Sequence, residues 1–218
     1  MVPFPRPDDI GLAASLCASF VIDNGAYTIW KRGGAVDCPA YVEFVEAWCR
    51  HPAFDWALIP DVIEGDEAEN DALLAGWPQD IRGVPVWHFH ESIERLVELA
   101  DHWDTVALGS SGDWPTPGTS GWWSRVGEAM GAICSDDGKP ACRLHGLRMM
   151  SADIFTRLPL SSADSTNVVR NCCSDRFGTY TPPTRSARAA VIADRIEYQQ
   201  SAPLWNPAWA KGDQLELW

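Results

Sequence analysis

The sequence predicts an α/β fold, and among such folds it favours a TIM-type (β/α) barrel that is shortened or irregular at its N-terminal end. Short β-rich runs alternate six times with helical segments, which is the pattern of parallel strands joined by crossover helices. The 218 residues are 46% hydrophobic and 22% charged, as expected for one globular domain with a sizeable core. Nearly every β-rich run also ends in polar or small residues.

The β-rich runs and the helical segments follow one another along the chain. Strands are predicted at 19–23, 54–62, 84–90, 104–112, 141–147 and 160–165. Helices are predicted at 39–51, 65–77, 91–103, 122–134, 151–158 and 184–200. In the third helix, apolar residues recur at the i, i+3, i+4 and i+7 spacing of one helix face, at Ile93, Leu96, Val97 and Ala100. We expect a single domain over 1–218, in which 171–218 form a C-terminal loop and helix extension.

The ends of the predicted strands distinguish two α/β architectures. A doubly wound sheet binds its ligand at the point where the strand order reverses. In a (β/α) barrel all strand ends meet at one carboxyl face, where they form a single site. The repeated polar strand ends therefore favour the barrel. Six strands do not close an eight-stranded barrel, so residues 1–17 would have to supply the rest, or the barrel is shortened.

The sequence also bears on the cellular location of the protein. No apolar run reaches the roughly 18 residues that a membrane helix needs. The longest run, residues 10–22, follows Asp8 and Asp9, where a signal peptide would carry cations. We therefore expect a soluble, cytoplasmic protein. The seven cysteines form no CxxC pair, which indicates reduced thiols packed as small hydrophobic groups.

The net charge of −13 is distributed unevenly along the chain. Residues 1–138 contain 7 Lys and Arg against 23 Asp and Glu, a net charge of −16, whereas residues 139–218 contain 10 against 7, a net charge of +3. The acidic total argues against a nucleic-acid partner, but such asymmetry can mark a phosphate-facing side on an acidic body. The alternative is a solvated surface with local ion pairs. The candidate phosphate contacts are Arg170, Arg176, Arg185 and Arg188.

Three aspartates, Asp23, Asp61 and Asp164, each follow an apolar strand. Two or three carboxylates on one barrel rim suit glycosyl transfer, in which one carboxylate attacks the anomeric carbon and another moves protons. An aspartate after a strand is also a common turn or helix-capping residue. The convergence of three such residues favours the catalytic interpretation.

The HFH run at 88–90 leaves two interpretations. Strand alternation places His88 and His90 on the same side, and an HxH pair binds metal in barrel amidohydrolases. That site needs further histidines downstream, and only His102 and His145 follow. We favour a hydrogen-bonding or packing role, and a metal-dependent barrel hydrolase that uses His88 and His90 remains the alternative.

The LGSSG run at 108–112 is a strand exit made of small residues. It allows the backbone to approach a planar base or a phosphate closely. The chain contains no Walker loop, no dinucleotide-binding GxGxxG and no GxSxG nucleophile elbow. Nucleotide hydrolysis at a Walker loop and serine hydrolysis at an elbow are therefore not indicated.

The order of the strand-end motifs resembles that of the tRNA-guanine transglycosylases. The motifs are IDNGAY (22–27), IPD (59–61), WHFH (87–90), LGSSG (108–112), LHGL (144–147) and ADSTN (163–167). The resemblance covers roughly residues 18–170 and is stronger to the short, often phage-encoded relatives that put 7-deazaguanines into DNA. In the family these motifs end the last six strands of a (β/α)8 barrel.

The resemblance implies a base exchange that replaces guanine in nucleic acid with a 7-deazaguanine such as preQ0. Asp164 matches the family's nucleophile, and Asp23 matches its proton-transfer carboxylate. Substrate contacts are implied for other strand-end residues, namely Asn24, Gly25, Asp61, His88, Gly109, Ser110, Ser111 and Gly146. The four arginines would hold phosphates. DNA is favoured over tRNA as the partner, and a homodimer is a further expectation.

The chain departs from the tRNA enzymes after the nucleophile. Their zinc subdomain has a CxCxxC pattern and a histidine, whereas only Cys172 and Cys173 follow Asp164 here, and no histidine follows His145. We therefore expect neither zinc nor another cofactor. The remaining alternative to catalysis is an inactive barrel that binds nucleic acid as an accessory.

Overall fold

The computed structural model describes residues 1–173, 177 and 180–211, and it confirms the α/β fold. The chain clusters into two compact units, an N-terminal unit (Met1–Ala107) and a C-terminal unit (Leu108–Trp218). The single domain with a C-terminal extension stays a prediction. In the described part of the chain, no helix is both long and apolar enough to cross a membrane.

Short strands alternate with longer helices along the described chain. The strands are β1 (Val2–Pro3), β2 (Phe20–Asp23), β3 (Phe54–Leu58), β4 (Gly83–Val84), β5 (Val86–His88), β6 (Thr105–Gly109), β7 (Arg143–Gly146) and β8 (Ser162–Ala163). The helices are α1 (Asp9–Leu16), α2 (Ala26–Trp30), α3 (Cys38–Trp48), α4 (Glu67–Ala75), α5 (Ile93–His102), α6 (Ser120–Ile133), α7 (Ala152–Phe155), α8 (Asn167–Asn171) and α9 (Arg185–Glu197). A 3-10 helix follows at Pro207–Lys211.

The strands form two four-stranded sheets, and the order in each sheet follows the chain. The orders are β1-β2-β3-β4 and β5-β6-β7-β8. Every pair of the first sheet is parallel, with Val2 opposite Ile22 in its first pair. In the second sheet β7 and β8 are parallel, with Gly146 opposite Ala163. Because the carboxyl ends of parallel neighbours lie at one edge, residues that follow these strands are brought close together within their sheet.

All six predicted strand runs contain a strand, and the described residues add two more. One of these is β1, which lies within residues 1–17, where a complete eight-stranded barrel would need further strands. The other is β4, because the run predicted over 84–90 is divided at Pro85. Proline has no N–H to give to a ladder, but the Pro85 carbonyl accepts a 2.9 Å hydrogen bond from the Ala107 amide.

Helix α3 packs its apolar face against the strand that leads to Asp61. Tyr41 and Val45, one helical turn apart, are both fully buried. The Tyr41 hydroxyl donates a 2.7 Å hydrogen bond to the Leu58 carbonyl at the end of β3. This bond satisfies a polar group inside the core and fixes the level of the helix relative to the strand end.

Side-chain caps determine where the helices begin after the strand-end loops. Asp66 and Glu69 form a reciprocal capping box at the start of α4. The Ser92 hydroxyl accepts from the Arg95 amide at the start of α5, at 3.1 Å. Each cap satisfies backbone donors that have no partner inside the helix. The loops after β3 and β5 therefore enter their helices in one defined conformation.

Helix α6 supplies much of the buried apolar surface of the C-terminal unit. Its buried residues recur at helical spacing on one face, at Trp122, Trp123, Val126, Met130 and Ile133. The 3-10 helix Pro207–Lys211 packs on this helix, where a Cβ on Gly127 would lie 2.6 Å from the Cβ of Ala210. The absence of a side chain at Gly127 allows this close approach.

Candidate functional site

Three predicted site residues of the N-terminal unit form one buried hydrogen-bonded chain at the strand ends. Asn24 follows β2, Asp61 follows β3 and His88 ends β5. Asn24 Nδ2 lies 2.7 Å from Asp61 Oδ1, and Asp61 Oδ2 lies 2.9 Å from His88 Nε2. The side chains of His88 and Asp61 are 2% and 8% exposed. The strand-end convergence expected from the sequence is thus observed for these three residues.

The turn at Asp23-Asn24-Gly25 holds Asn24 in place. Gly25 has a φ of +74°, and a Cβ there would lie 2.4 Å from Cδ of Pro5, so both the backbone conformation and the space require glycine. Asn24 Oδ1 accepts from the Ala26 amide at 2.8 Å and so satisfies a donor at the start of α2. Gly25 therefore shapes the turn that carries the predicted site residues Asp23 and Asn24.

Asp23 lies beside this chain but does not belong to it. Its Oδ1 accepts a 3.0 Å hydrogen bond from the Gly25 amide, and its side chain is partly exposed. A half-buried carboxylate that keeps contact with solvent can exchange protons more readily than one sealed in the core. This position is compatible with the proton-transfer role that the resemblance implies.

A second set of buried polar residues supports the strand end at His88, and the sequence did not indicate it. Glu91 is buried, and its Oε2 accepts from the His88 amide at 2.8 Å and pairs with Arg95 at 2.9 Å. Its Oε1 accepts from Asn70 Nδ2 at 2.8 Å. Asn70 in turn accepts from the Val62 amide at 2.8 Å. This network connects the segments that carry Asp61 and His88.

The HxH pair is engaged with protein acceptors in this structure. The rings of His88 and His90 stack with centroids 5.7 Å apart and an interplanar angle of 23°. His88 Nε2 lies against Asp61, and His90 Nε2 lies 2.9 Å from the Gly65 carbonyl. The described residues contain no cluster of three or more His, Cys, Asp or Glu side chains arranged to hold a metal ion.

In the C-terminal unit, Asp164 lies directly after β8, beside the end of β7. Its backbone amide donates to the Gly146 carbonyl at 3.1 Å. Its Oδ1 accepts a 2.7 Å hydrogen bond from the Arg148 amide, and its side chain is 30% exposed. Oδ2 has no hydrogen-bond donor among the residues described. One oxygen of the carboxylate is thus held in place, while the other is available to a ligand.

Two residues that bond to the Asp164 backbone or side chain, Gly146 and Arg148, lie in the LHGL segment and directly after it. Gly146 lies opposite Ala163, and a Cβ on Gly146 would lie 2.8 Å from both Leu160 and Met149. Arg148 has a φ of +61°, which is rare for a residue with a side chain. The sequence indicated Gly146 but not Arg148, because nothing in the residue type of an arginine signals a left-handed backbone.

Burial shifts the pKa values of His145 and Asp164. Desolvation lowers the pKa of His145 to about 4, so its imidazole is neutral near pH 7. Its Nδ1 lies 2.8 Å from Ser162 Oγ, and its Nε2 lies 3.9 Å from Asp164 Oδ1. Desolvation also raises the pKa of Asp164, an effect that the Arg148 amide opposes. Asp164 is therefore a partly desolvated carboxylate, and the histidine beside it is uncharged near pH 7.

The LGSSG segment follows β6 in the same unit. Gly109 ends the strand and is buried, and Ser111 is 4% exposed. Ser110 Oγ accepts a 2.9 Å hydrogen bond from Trp122 Nε1. The Ser110 side chain therefore joins this segment to α6. A backbone contact of Gly109, Ser110 and Ser111 with a base or a phosphate stays a prediction.

The predicted phosphate contacts differ in exposure. Arg170 on α8 and Arg185 at the start of α9 are exposed. Arg188 is only partly exposed, because its Nε donates a 2.8 Å hydrogen bond to the Pro182 carbonyl. Arg176 lies outside the described residues. Arg170 and Arg185 are therefore the described arginines of this set that present their charge most freely.

Comparison of the chain with models of protein families, with curated protein sequences and with solved structures finds no match.

Proposed function

We propose that the chain is a base-exchange transglycosylase that replaces guanine in nucleic acid, DNA rather than tRNA, with a 7-deazaguanine such as preQ0. The observation that carries this proposal is the state of Asp164. Its carboxylate is held by one backbone amide at 2.7 Å, is partly removed from water and keeps Oδ2 available. A carboxylate that is fixed and poorly hydrated is suited to attack an anomeric carbon.

We further propose that the two sheets belong to one (β/α) barrel. Support comes from the strand order, which follows the chain without reversal in both sheets. A doubly wound sheet would contain a reversal, and its ligand would bind there. Polar side chains follow β2, β3, β5, β7 and β8, as in barrels whose active sites lie at the carboxyl ends of the strands.

The first half of the reaction forms a covalent glycosyl-enzyme. Asp164 Oδ2 attacks C1′ of the target nucleoside as the C1′–N9 bond breaks, and the electron pair of that bond stays with guanine. N9 of the departing guanine takes a proton from the carboxyl group of Asp23. Because His145 is neutral near pH 7, it does not offset the negative charge of the Asp164 carboxylate before attack.

The second half reverses these events with another base. N9 of the 7-deazaguanine attacks C1′ as the bond from C1′ to Asp164 breaks, which returns the carboxylate. The Asp23 carboxylate accepts the proton that N9 loses, so the enzyme ends in its starting state. Atoms and charges balance over the two halves, and the reaction needs no cofactor.

The remaining strand-end residues would bind the base, and the exposed arginines would bind the backbone of the nucleic acid. A duplex base must leave the stack to reach a strand-end site. Arg170 and Arg185 on α8 and α9 are placed to neutralise phosphates. The alternative of a metal-dependent hydrolase gains no specific support, since Nε2 of His88 and Nε2 of His90 both contact protein acceptors.

The proposal is tested by incubating the chain with radiolabelled preQ0 and either duplex DNA or tRNA. We expect label in DNA with the wild type and none with Asp164→Asn. Asp153→Asn is the matched control, because Asp153 is an exposed aspartate of the same unit. Label in tRNA alone would move the substrate from DNA to tRNA. Label in neither nucleic acid, from protein shown to be folded by circular dichroism, would overturn the proposal.

A further inference from the structure

The hydrogen bonds from Ala26 to His88 have directions that follow from the chemistry of their ends. A backbone amide can only donate, so Asn24 Oδ1, which lies 2.8 Å from the Ala26 amide, is the acceptor. The other end of the same side chain is then the NH2 group. Its neighbours agree, because the Ile59 carbonyl at 2.9 Å can only accept. The orientation of the Asn24 amide is thus settled by two backbone groups.

The direction continues through Asp61. The NH2 group of Asn24 donates to Asp61 Oδ1 at 2.7 Å, and Asp61 Oδ2 accepts from His88 Nε2 at 2.9 Å. A hydrogen bond to an ionised carboxylate is stronger than one between neutral groups. The proton of a neutral His88 ring therefore lies on Nε2. Its other nitrogen, Nδ1, carries a lone pair and can only accept.

The lone pair on His88 Nδ1 has no donor among the residues that the structure describes, although the side chain is 98% buried. A buried acceptor that stays unsatisfied destabilises the folded protein, so such atoms are uncommon in native structures. The neighbouring groups hold the ring firmly, because Glu91 accepts from the His88 amide and His90 stacks on the ring. The orphaned acceptor is therefore fixed in position.

We propose that His88 Nδ1 accepts an N–H of the nucleobase, and that Asp61 is a positioning residue that acts through His88 rather than on the base. This inference rests on the proposed function, because that function supplies a planar base with N–H donors. It differs from the role that the resemblance implied for Asp61, in which Asp61 itself contacts the substrate. Both oxygens of Asp61 already accept from protein donors.

The chemistry makes His88 selective for bases that present a donor. A base with a ring N–H or an exocyclic amine at that position gains a hydrogen bond out of water, where such bonds contribute most. A base with an acceptor there would face the lone pair of Nδ1, and the loss would be on the order of tenfold or more in affinity. The same loss is expected when the nitrogen itself is removed.

Two substitutions at His88 separate its two nitrogens. In His88→Asn the side-chain oxygen can take the place of Nδ1, whereas in His88→Gln the amide can take the place of Nε2 and keep the bond to Asp61. We expect His88→Asn to retain most affinity for preQ0 or guanine in calorimetry. We expect His88→Gln to lose about tenfold or more while remaining folded. Equal affinity of both variants and the wild type would overturn the inference.

Substitution of Asp61 tests the positioning role. In Asp61→Asn the new oxygen can accept from Asn24, which leaves the new NH2 group to donate to His88 Nε2. The proton of the ring then moves to Nδ1, and the acceptor becomes a donor. We expect nitrogen NMR of the imidazole to show protonation at Nε2 in the wild type and at Nδ1 in Asp61→Asn. Affinity for the base should fall as in His88→Gln.

The spectra also separate failure of the inference from failure of the proposed function. With 15N-histidine protein and preQ0 or guanine as the probe, binding should move the Nδ1 resonance of His88. Base exchange by the wild type with an unmoved Nδ1 resonance would overturn this inference and leave the function standing. A moved resonance without base exchange on DNA or tRNA would support the contact and overturn the transglycosylase. A wild-type ring protonated at Nδ1 would also overturn the inference.

Discussion

The backbone amide of Arg148 donates a 2.7 Å hydrogen bond to Oδ1 of Asp164, and Arg148 makes this contact from a left-handed backbone with φ of +61°. Among the described residues it is the one non-glycine residue with a positive φ. Such a conformation costs a residue with a side chain about 1–2 kcal/mol. Strained residues of this kind occur often at functional sites, and here the strain aims a donor at the candidate nucleophile.

The strain at Arg148 can be measured by comparing two truncations. Arg148→Ala and Arg148→Gly both remove the guanidinium and its 3.1 Å contact with the Pro115 carbonyl. Only Gly relieves the left-handed backbone, so we expect Arg148→Gly to be the more stable by about 1 kcal/mol in urea denaturation. Both variants keep the amide and should retain base exchange. A more stable Arg148→Ala would contradict the strained conformation.

Asp164→Asn should be more stable than the wild type at neutral pH, in addition to being inactive. The asparagine keeps an acceptor for the Arg148 amide but carries no poorly hydrated charge. Because burial raises the pKa of Asp164, its ionised form disfavours the folded state above that pKa. The penalty disappears as the pH falls through the raised pKa towards the usual value of 3.8. Melting temperatures of the two proteins should therefore converge in acid.

The same shift predicts the acid limb of the activity. The nucleophile must be ionised, so base exchange should fall with decreasing pH at a pH above 3.8, the ordinary value for an aspartate. Asp164→Asn should reduce the rate by at least about 10³-fold, since no other group supplies the bond to C1′. A pH profile that shows no acid limb above 3.8 would contradict the assignment.

His145 should make the wild type sensitive to acid. Its pKa is lowered from 6.5 to about 4 by burial, so the folded state holds fewer protons than the unfolded state between these values. The contribution of neutral His145 to the free energy of unfolding is fully present above pH 6.5. It is lost as the pH decreases to about 4, by at most about 3 kcal/mol. His145→Asn keeps an acceptor for Ser162 and cannot take up a proton. Its stability should change less over this range, and a parallel loss in both proteins would exclude His145 as the cause.

Arg170 and Arg185 should contribute to the salt dependence of DNA binding. Each lost phosphate contact reduces the slope of log affinity against log salt by about 0.9 on duplex DNA. The double variant Arg170→Ala, Arg185→Ala should lower that slope by up to about 2 without lowering the melting temperature. A charge-matched control is Arg32→Ala, Arg50→Ala, at two exposed arginines of the N-terminal unit. Equal slopes for the two double variants would mean that charge alone, and not this surface, governs binding.

Arg188 needs a separate interpretation, because the sequence places it beside Arg185 but the structure gives it another contact. Its Nε donates to the Pro182 carbonyl just before α9. Arg188→Ala should therefore lower the melting temperature, in addition to any effect on DNA binding. The DNA-binding test therefore leaves Arg188 unchanged. An unchanged melting temperature in Arg188→Ala would contradict a stabilising role for its contact with Pro182.

The sequence was sufficient for the parts of the fold that repeat. Apolar runs located six strands, and helical spacing located the main helices, because burial imposes both patterns. It did not separate β4 from β5, since a two-residue strand is too short to show alternation and Pro85 looked like part of one run. The strand β1 was expected only if the barrel is complete rather than shortened, and the sequence of residues 1–17 showed no strand pattern.

The candidate site was predictable at the strand ends and not beyond them. The polar residues after the apolar runs, together with the family resemblance, pointed to Asn24, Asp61 and His88, which the structure joins. The contribution of Glu91 and Arg95 was hidden, because a charged pair on a helix looks the same in sequence whether it is buried or solvated. Arg148 was hidden for a different reason, since its contact with Asp164 depends on a backbone angle.

The most direct test of the central claim is to trap the bond between Asp164 and the nucleic acid. End-labelled duplex DNA is incubated with the chain in the absence of 7-deazaguanine and run on a denaturing gel, and the adduct is mapped by peptide mass spectrometry. We expect wild-type protein to carry DNA at Asp164 with release of guanine, and Asp164→Asn to carry none. Base exchange at a normal rate by Asp164→Asn, or an adduct mapped to another residue, would contradict the account.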